Sequence, residues 1–437
     1  MKVLIISHNV ISKTSNMGKT MLSYFKDFNV QEIAQFYIHS EVPTDSSLCR
    51  NYFRFTDRDA LKSLLFSWNR GKAFSERDIQ TQRDVAREDL GRLSAVYQYG
   101  RKRNAGIYLA RNTVWNLAHW KTRKFKDWIR SFSQDIVMFM SGDYAFMYKI
   151  AAYAAELAKC PLVVTCVDDF YIHNRNQGSL LGKMVHKSYM KTVCRTMKRA
   201  SAIFTISDTM NRAYGRMFGI PCKTLHTAAV NRQINIKNDC RKISYLGNVS
   251  FNRNEQLAYM GRALKKVEGR EPDAIDVYSG EQDPQRCACL TEENGIRFHG
   301  SISADEVLKV MENSMAVIHT ESFEPDMQAM TRFSVSTKIA ESLMYGPCLI
   351  AYGPEGIASI DYLKENQAAY VITSPEDLQS GLEEIIGNAE LRQQIVANAR
   401  ALAKKNHDAS INSANVRRWL EDAIREYRDQ IILCEEL

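Results

Sequence analysis

The sequence has little proline, no cysteine pair with metal-binding spacing and no long uncharged apolar run. Only 9 of its 437 residues are proline and 45% are hydrophobic, so it is neither collagen-like nor a low-complexity chain. No apolar stretch approaches the roughly 20 residues that a membrane-spanning helix needs. The ten cysteines form no CxxC pair, and Cys287 and Cys289 are too close for a zinc site. Because the N-terminal run also lacks signal-peptide features, we expect reduced thiols and a cytoplasmic protein.

Charge is divided unevenly along the chain. Residues 1–230 contain 35 Lys and Arg against 18 Asp and Glu, a net charge of +17. Residues 231–437 contain 23 against 32, a net charge of −9. The asymmetry predicts an anionic partner for the first half. Nucleic acid, anionic lipid headgroups and a phosphorylated acceptor all fit this charge.

Short runs rich in Val and Ile recur along both halves and alternate with helical patterns. Because the runs are continuously apolar, both faces of each strand should be buried, as in a parallel sheet. We predict an α/β fold with two doubly wound, Rossmann-like domains facing across a cleft. The predicted parts are a domain over 1–230 with a helical insertion at about 45–132, a linker at 231–241, a domain over 242–375 and C-terminal helices at 376–437.

Two motifs near the N-terminus resemble ligand sites. The tripeptide that begins at Gly18 lacks the upstream glycine of a P-loop, because Lys13 occupies that position. Gly18 instead predicts a helix start where a bound molecule can approach the backbone closely. Asp57 and Asp59 match a DxD metal motif, but their helical surroundings favour an ordinary helix N-terminus.

Asp168 and Asp169 follow the buried strand PLVVTCV. Ligands of open α/β sheets bind at this end of the strands, so both residues are candidate catalytic carboxylates. Two adjacent residues of an extended segment point to opposite sides, so at most one should face a cleft. A helix-capping or turn aspartate is the alternative.

The second half opens with a strand that ends at Gly247, followed by Asn248 and, before a helix, Arg253. The glycine permits close approach, the helix N-terminus offers free amides, and the arginine can pair with phosphate. Such a loop can bind a diphosphate, although any α/β domain begins with some glycine turn.

The segment from Ser336 to Gly346 carries the densest signal. Thr337 can cap a helix, which places Lys338 and Glu341 three residues apart on one face of its first turn. A cation beside helix amides suits a diphosphate, and a carboxylate one turn later suits a ribose diol. A surface ion pair is the alternative, but the flanking buried strands favour a binding site.

These motifs together resemble GT-B glycosyltransferases of the family-four type, retaining enzymes that use nucleotide-sugar donors. The resemblance covers nearly the whole chain in order. It is carried by KVLIISHN with Gly18, PLVVTCVDDF, ASAIFTISDTMNRAYGRMFGIP, ISYLGNVSFNRNEQL, IRFHGSIS and TKIAESLMYGPCLIAYGPEGIASIDYL.

The resemblance implies a role for each matching position. The residues Gly247, Asn248 and Arg253 would line the donor diphosphate, and Gly300 and Ile302 would lie beside the nucleotide base. Among the residues of the later helix, Thr337 and Lys338 would contact the donor, and Glu341 would bind the ribose hydroxyls. Lys338 would also neutralise the leaving diphosphate.

The chain departs from the family pattern at three places. Asn248 stands where the family usually has an arginine, and Phe333 stands where the first glutamate of the E-x7-E motif belongs. Glu321 and Glu324, in a longer upstream loop, are the candidates to contact the sugar instead. The pair Asp168–Asp169 occupies a segment in which the family often has a histidine near the acceptor.

The expected function is therefore transfer of a sugar from a nucleotide-sugar to a glycan or lipid-linked acceptor, in surface polysaccharide or glycoconjugate synthesis. The resemblance implies retention, and we expect neither a metal nor another cofactor. A nucleotide-sugar epimerase or hydrolase on the same fold is the alternative. A nucleic-acid-binding protein is a second alternative, although no recognised binding module occurs.

Peripheral attachment to an anionic membrane is predicted for the insertion. Residues 101–130 contain nine Lys and Arg against one acidic residue, and Trp115, Trp120 and Trp128 lie between the cations. This mixture is typical of helices that lie in a lipid headgroup layer. In the alternative, the tryptophans dock the insertion onto the first domain.

Overall fold

The computed structural model describes residues 1–13, 16–65, 69–79, 105–173, 179–229, 232–237, 240–267 and 272–435. It divides into two compact units, Met1–Leu225 with Asn412–Leu437, and His226–Ile411. Each unit is built around one sheet.

The strands of the first unit are β1 (Val3–Ser7), β2 (Ile33–Tyr37), β3 (Asn51–Arg54), β4 (Lys72–Ser75), β5 (Ile136–Met140), β6 (Leu162–Cys166), β7 (Ala202–Thr205) and β8 (Cys222–Thr224). Those of the second unit are β9 (Lys242–Leu246), β10 (Ile275–Tyr278), β11 (Ile296–Gly300), β12 (Ser314–Thr320), β13 (Cys348–Tyr352) and β14 (Tyr370–Ile372).

The α-helices before the second sheet are α1 (Asn16–Tyr24), α2 (Asp57–Leu65), α3 (Ala105–Leu117), α4 (Arg123–Phe132), α5 (Ala145–Ala158), α6 (Leu180–Met197) and α7 (Asp208–Phe218). Those that follow are α8 (Arg253–Leu264), α9 (Pro284–Cys287), α10 (Ala304–Glu312), α11 (Pro325–Thr331), α12 (Thr337–Tyr345), α13 (Ala358–Glu365), α14 (Leu378–Gly387), α15 (Ala389–Asn406) and α16 (Ala409–Glu435).

The first sheet has the order β4-β3-β2-β1-β5-β6-β7-β8. Its strands are parallel except that β4 runs antiparallel to β3. Every residue of β1, β2, β5 and β6 is buried, which is why these strands are predominantly apolar in the sequence. Because β1 lies between β2 and β5, the sheet changes its direction of growth there, and this position is its topological switch point.

The second sheet is parallel throughout, with the order β11-β10-β9-β12-β13-β14. Its switch point lies between β9 and β12. The prediction of two doubly wound, Rossmann-like domains is confirmed.

The insertion is not entirely helical, contrary to the sequence interpretation. β3 pairs with β2, and β4 pairs with β3, so both extend the first sheet. Both strands have polar residues at their ends and are only partly buried, so no continuous apolar run marks them in the sequence. The buried residues of β3 are Tyr52 and Phe53, and that of β4 is Phe74. Residues 66–68 and 80–104 of the predicted insertion lie outside the described residues.

The tryptophans of the insertion pack inward, as the docking alternative requires, and attachment of the insertion and its neighbours to a membrane stays a prediction. Trp115, Trp120 and Trp128 are 0%, 8% and 6% exposed. The Trp115 ring stacks on Phe146 with centroids 4.3 Å apart. Trp128 Nε1 donates to Asn51 Oδ1 at 2.7 Å. Trp115 thereby fixes α3 to α5, and Trp128 fixes α4 to β3. Residues 101–104 lie outside the described ranges.

The C-terminal helix returns to the first unit. Val416 and Leu420 of α16 lie in the core of that unit. Arg417 donates from its two terminal nitrogens to the Glu32 carboxylate, at 3.0 and 2.8 Å. The division between the units at Leu225 precedes the predicted linker, and the predicted C-terminal helices are shared between both units.

Candidate functional site

The second unit collects several predicted residues at its switch point. β9 ends just before Gly247, and β12 ends just before Glu321. Arg253 is the first residue of α8, and Lys338 is the second residue of α12. Ligands of open α/β sheets bind beyond the carboxyl ends of the strands at this position. We call this group the switch-point site.

Arg253 is held by the end of β12. Its Nη2 donates to Glu321 Oε1 at 2.7 Å, and its Nε donates to the carbonyl oxygen of Thr320 at 3.1 Å. Glu321 is only 2% exposed, and this burial raises the pKa of its carboxyl, while Arg253 acts in the opposite direction. Glu321 therefore positions the arginine, a contact that differs from the predicted one with the sugar.

Gly247 accommodates the ammonium group of Lys338. A Cβ atom on Gly247 would lie 2.8 Å from Lys338 Nζ and 3.2 Å from the hydroxyl of Tyr245. That hydroxyl donates to the carbonyl oxygen of Asn248 at 2.6 Å, which fixes the turn after β9. Only a residue without a side chain leaves this space to the lysine.

The two cations lie close enough to influence each other. The pKa of Lys338 is lowered by removal of the ammonium from solvent and then by the charge of Arg253, whereas Glu341 acts in the opposite direction. The buried carboxylate Glu321 is bonded to Arg253, and the exposed Glu341 influences Lys338. Two cations beside the first turn of α12 suit an anionic group such as a phosphate.

The first turn of α12 differs in one detail from the prediction. Ser336 is the N-cap residue, and Thr337 is the first helical residue. Thr337 and Glu341 are exposed, so this turn presents a hydroxyl and a carboxylate outward. Lys338 is exposed as a whole residue, but its ammonium turns towards Gly247 and is partly removed from solvent. Burial raises the pKa of Tyr345, and the charge of Glu341 adds to the effect.

Gly300 and Ile302 lie at the carboxyl end of β11, two strands from β9. Gly300 has φ of +77°, in the left-handed region that favours glycine. No heavy atom of the described residues lies within 4 Å of its Cβ position, and Ile302 is half-buried. Their contact with a nucleotide base stays a prediction.

Glu324 and Phe333 flank α11. Glu324 is exposed at the N-cap of that helix, so its contact with a sugar also stays a prediction. Phe333 is 5% exposed, so its side chain packs in the interior. It stands at the position where the family pattern has its first glutamate.

Asp169 organises its own loop in the first unit. Its Oδ1 accepts hydrogen bonds from the backbone N–H groups of Tyr171 and Ile172 and from the hydroxyl of Tyr214, and its Oδ2 accepts one from His173 N–H. This is the turn alternative, and the carboxylate is 5% exposed.

Asp168 and Gly18 are the other predicted residues of the first unit. Asp168 is half-buried at the end of β6, and its catalytic role stays a prediction. Gly18 is buried in the first turn of α1, as its predicted place at a helix start requires.

The switch point of the first unit holds a cluster that sequence reasoning missed. His8 follows β1, and Tyr144 follows β5. Arg111 Nε donates to Asp57 Oδ1 at 2.9 Å, and its Nη2 lies 3.2 Å from His8 Nε2. The Arg111 guanidinium lies 4.0 Å from the centre of the Tyr144 ring, and the His8 and Tyr144 rings stack. We call this group the aromatic cluster.

Burial and the nearby Arg111 lower the pKa of His8 to about 4, so its imidazole is neutral at pH 7. Asp57 does begin α2, as predicted, and it also accepts from Trp115 Nε1 at 2.7 Å. One feature of the sequence indicated this cluster, because His8 and Tyr144 each follow a buried strand. The insertion supplies Arg111 and Asp57, and no local pattern indicated where they would pack.

Two kinds of feature are absent from the described ranges. No group of three or more His, Cys, Asp and Glu side chains is arranged to hold a metal ion there. No helix in the same ranges is long and apolar enough to cross a membrane.

Solved structures with the same architecture share little sequence with this chain. HepE of Anabaena, in complex with UDP, is 14% identical with a TM-score of 0.61, and the match covers 97% of this chain and 100% of HepE. Sucrose-phosphate synthase of Thermosynechococcus elongatus is 9% identical with a TM-score of 0.61, over 98% and 100%. The UDP-forming α,α-trehalose-phosphate synthase of Burkholderia xenovorans, in complex with glucose-6-phosphate, is 8% identical with a TM-score of 0.55, over 96% and 100%.

At these identities the likeness concerns the fold, and it confirms the predicted GT-B architecture. No curated protein matches the chain by sequence. Residues 262–417, which include Lys338 and Glu341, match the glycosyl transferase-like family. The chain therefore has the GT-B fold, and its region 262–417 is similar to the glycosyl transferase-like family, in agreement with the resemblance seen in the sequence.

Proposed function

We propose that the protein transfers a sugar from a UDP-sugar to a glycan or lipid-linked acceptor. The observation that carries this proposal is the closeness of two cations, Arg253 and Lys338, at the switch point of the second unit, which holds most of the family match. The UDP complex of HepE supports UDP as the nucleotide, because that protein has the same fold.

Arg253 and Lys338 would bind the donor diphosphate. As the glycosidic bond to the sugar breaks, negative charge grows on the leaving diphosphate, and prepositioned cations stabilise it more than they stabilise the intact donor. Glu321 keeps the guanidinium in place before the donor arrives, so little reorganisation is needed during the reaction. The two cations give the site a way to neutralise the leaving group without a metal ion.

The rest of the donor would extend along the same edge of the sheet. Glu341, one turn after Lys338, would accept hydrogen bonds from the ribose hydroxyls. Gly300 and Ile302 at the end of β11 would adjoin the base, since the open space at Gly300 permits close approach of a flat ring. Glu324 is the remaining candidate for a sugar contact.

The acceptor side of the proposal rests on the first unit. Asp168 would lie beside the acceptor hydroxyl, and the reaction would proceed with retention, as in the family that the sequence resembles. A role in surface polysaccharide or glycoconjugate synthesis follows from the same resemblance. A cytoplasmic location is supported by the nine free cysteines of the described residues.

The test is a screen of UDP-, GDP-, dTDP- and ADP-sugars with a mixture of glycan and lipid-linked acceptors, followed by measurement of nucleotide release and of sugar attached to acceptor. We expect UDP release that depends on the acceptor. Lys338→Ala should lower kcat by at least tenfold, and the matched variant Lys309→Ala, at an exposed position of α10, should leave it unchanged. A rearranged sugar formed without acceptor would instead indicate an epimerase, and failure to bind or cleave any nucleotide-sugar would refute the proposal.

A further inference from the structure

Helix α6 (Leu180–Met197) exposes large apolar side chains at its N-terminal end. Leu180 is 81% exposed, Met184 is 70% exposed, and Leu181 is 41% exposed. The opposite side of the helix is fixed to the unit, because Tyr189 and Val193 are buried and the Tyr189 hydroxyl donates to the carbonyl oxygen of Gly142 at 2.9 Å. The apolar side chains are therefore held outward by a packed helix.

A line of cations continues from these apolar residues. Lys187, Lys191 and Arg195 follow Leu180 and Met184 at spacings of three and four, which places all of them on one face of the helix. All three cations are exposed. We call Leu180, Leu181, Met184, Lys183, Lys187, Lys191 and Arg195 the α6 surface.

The stretch of sequence that contains the α6 surface has no acidic residue. No Asp or Glu occurs from Phe170 to Ser207, although seven Lys and Arg do. Neighbouring α3 packs beside α6 and exposes Leu109 at 43%. An apolar end followed by clustered positive charge is the combination that anionic lipid bilayers attract, because the headgroups bind the cations and the acyl boundary takes up the apolar side chains.

We propose that the α6 surface docks the protein on an anionic lipid bilayer, with Leu180 and Met184 entering the headgroup layer and Lys187, Lys191 and Arg195 binding the lipid phosphates. A nucleic acid or an acidic protein would use the cations but would leave the leucine and methionine side chains in water. The apolar end therefore favours lipid over either alternative.

Helix α4 (Arg123–Phe132) serves as the comparison within the same unit. It has the stronger segregation of apolar and basic residues in the sequence, but Phe125, Trp128 and Ile129 are buried against the sheet. Its outward face consists of polar residues such as Arg123, Lys124 and Asp127. The proposed membrane contact is therefore at α6, whereas the sequence alone indicated the insertion.

The experiment is cosedimentation of the full chain with vesicles of phosphatidylglycerol and phosphatidylcholine in equal parts, and with vesicles of phosphatidylcholine alone. We expect binding to the anionic vesicles at low salt and at least tenfold weaker binding at high salt. Leu180→Ser with Met184→Ser, and separately Lys187→Glu with Lys191→Glu, should each weaken binding at least tenfold. Arg123→Glu with Lys124→Glu on α4 is the matched charge control and should retain binding.

All of these positions are exposed, so thermal unfolding of the variants should match that of the parent and exclude misfolding as the cause. Retention in the supernatant with anionic vesicles at low salt would overturn the proposal. If the charge variant loses vesicle binding and the apolar variant keeps it, the proposal is overturned in favour of a polyanion as the partner. Retention of the parent on immobilised DNA would then identify that polyanion as nucleic acid. No nucleotide-sugar is present, so the result is independent of the proposed transfer activity.

Discussion

The carboxyl edges of the two sheets carry different kinds of site, assembled in different ways. In the second unit, Gly247, Arg253, Glu321 and Lys338 all lie directly after a strand or in the first turn of a helix. In the first unit, Arg111 reaches the corresponding edge from an inserted helix and depends on Asp57 of another helix. A site built from strand ends can be traced in a sequence, whereas a site built by an insertion cannot.

The chemistry of the two edges differs as well. The switch-point site combines two cations with one buried carboxylate, which suits the diphosphate of a donor. The aromatic cluster places one guanidinium on a tyrosine ring beside a neutral histidine, which suits a less charged ligand. This contrast predicts different responses of the two edges to substitution and to acid.

Arg253→Ala should have the largest effect on stability. It would leave Glu321, 2% exposed, as a buried charge without its partner, which costs about 3–5 kcal/mol of unfolding free energy. Arg286→Ala is the matched control, because that guanidinium is 49% exposed beside Glu281, and exposed ion pairs contribute about 1 kcal/mol or less. Urea unfolding of both variants measures the difference, and equal small losses would show that the buried pair has no special role.

Acid should lower the free energy of unfolding of both units, because each has a neutral histidine near the carboxyl edge of its sheet: His8 after β1 and His319 in β12. Burial lowers the pKa of His319 to about 3 and that of His8 to about 4, both below the ordinary value of 6.5. The unfolded chain therefore binds more protons below pH 6.5, and stability is lost as the pH falls from there towards the folded-state pKa.

Each of these histidines should lower the free energy of unfolding by about 2 kcal/mol between pH 7 and pH 5. His8→Gln and His319→Gln should each remove about that amount of the pH dependence, measured by urea unfolding at both pH values. An unchanged pH dependence in either variant would mean that the histidine in question is accessible to protons in the folded protein.

Arg111→Ala should lower the free energy of unfolding less than Arg253→Ala does, although both arginines lie at a switch point. Its partner Asp57 is 39% exposed and can be hydrated when the arginine is removed, so we expect a loss of about 1.5 kcal/mol. Urea unfolding again provides the measurement. A loss as large as that of Arg253→Ala would erase the distinction between the two edges.

Gly247→Ala should have the smallest effect on the free energy of unfolding, but it should weaken donor binding. The new Cβ would lie 2.8 Å from Lys338 Nζ, so the flexible lysine must move, and UDP affinity should fall about tenfold, or about 1.4 kcal/mol. Gly215→Ala is the control, because its Cβ would meet only Cys222 at ordinary contact distance. Titration calorimetry with UDP distinguishes the two, and equal affinities would remove Lys338 from the donor site.

The sequence predicted most of the fold because buried parallel strands are recognisable by themselves. β1 and β12 are examples, since their apolar runs follow from burial on both faces. β3 and β4 were missed because polar residues at their ends leave no continuous apolar run, and their place is set by the pairing of β3 with β2 and of β4 with β3.

The candidate site was predictable in position but only partly in role. Gly247, Arg253 and Lys338 could be placed from their distance to strand ends. The roles of Glu321 and Asp169 depend on which atoms fold back onto them, Arg253 in one case and the loop amides with Tyr214 in the other. Such partners are set by three-dimensional packing, and spacing in the sequence does not reveal them.

The central claim is that the switch-point site of the second unit binds the diphosphate of a UDP-sugar through Lys338 and Arg253. Calorimetric titration of UDP into the parent protein, Lys338→Ala and Lys309→Ala tests it most directly. We expect saturable binding to the parent, at least tenfold weaker binding to Lys338→Ala and unchanged binding to Lys309→Ala. Absence of UDP binding to the parent, or equal affinity in all three proteins, would contradict it.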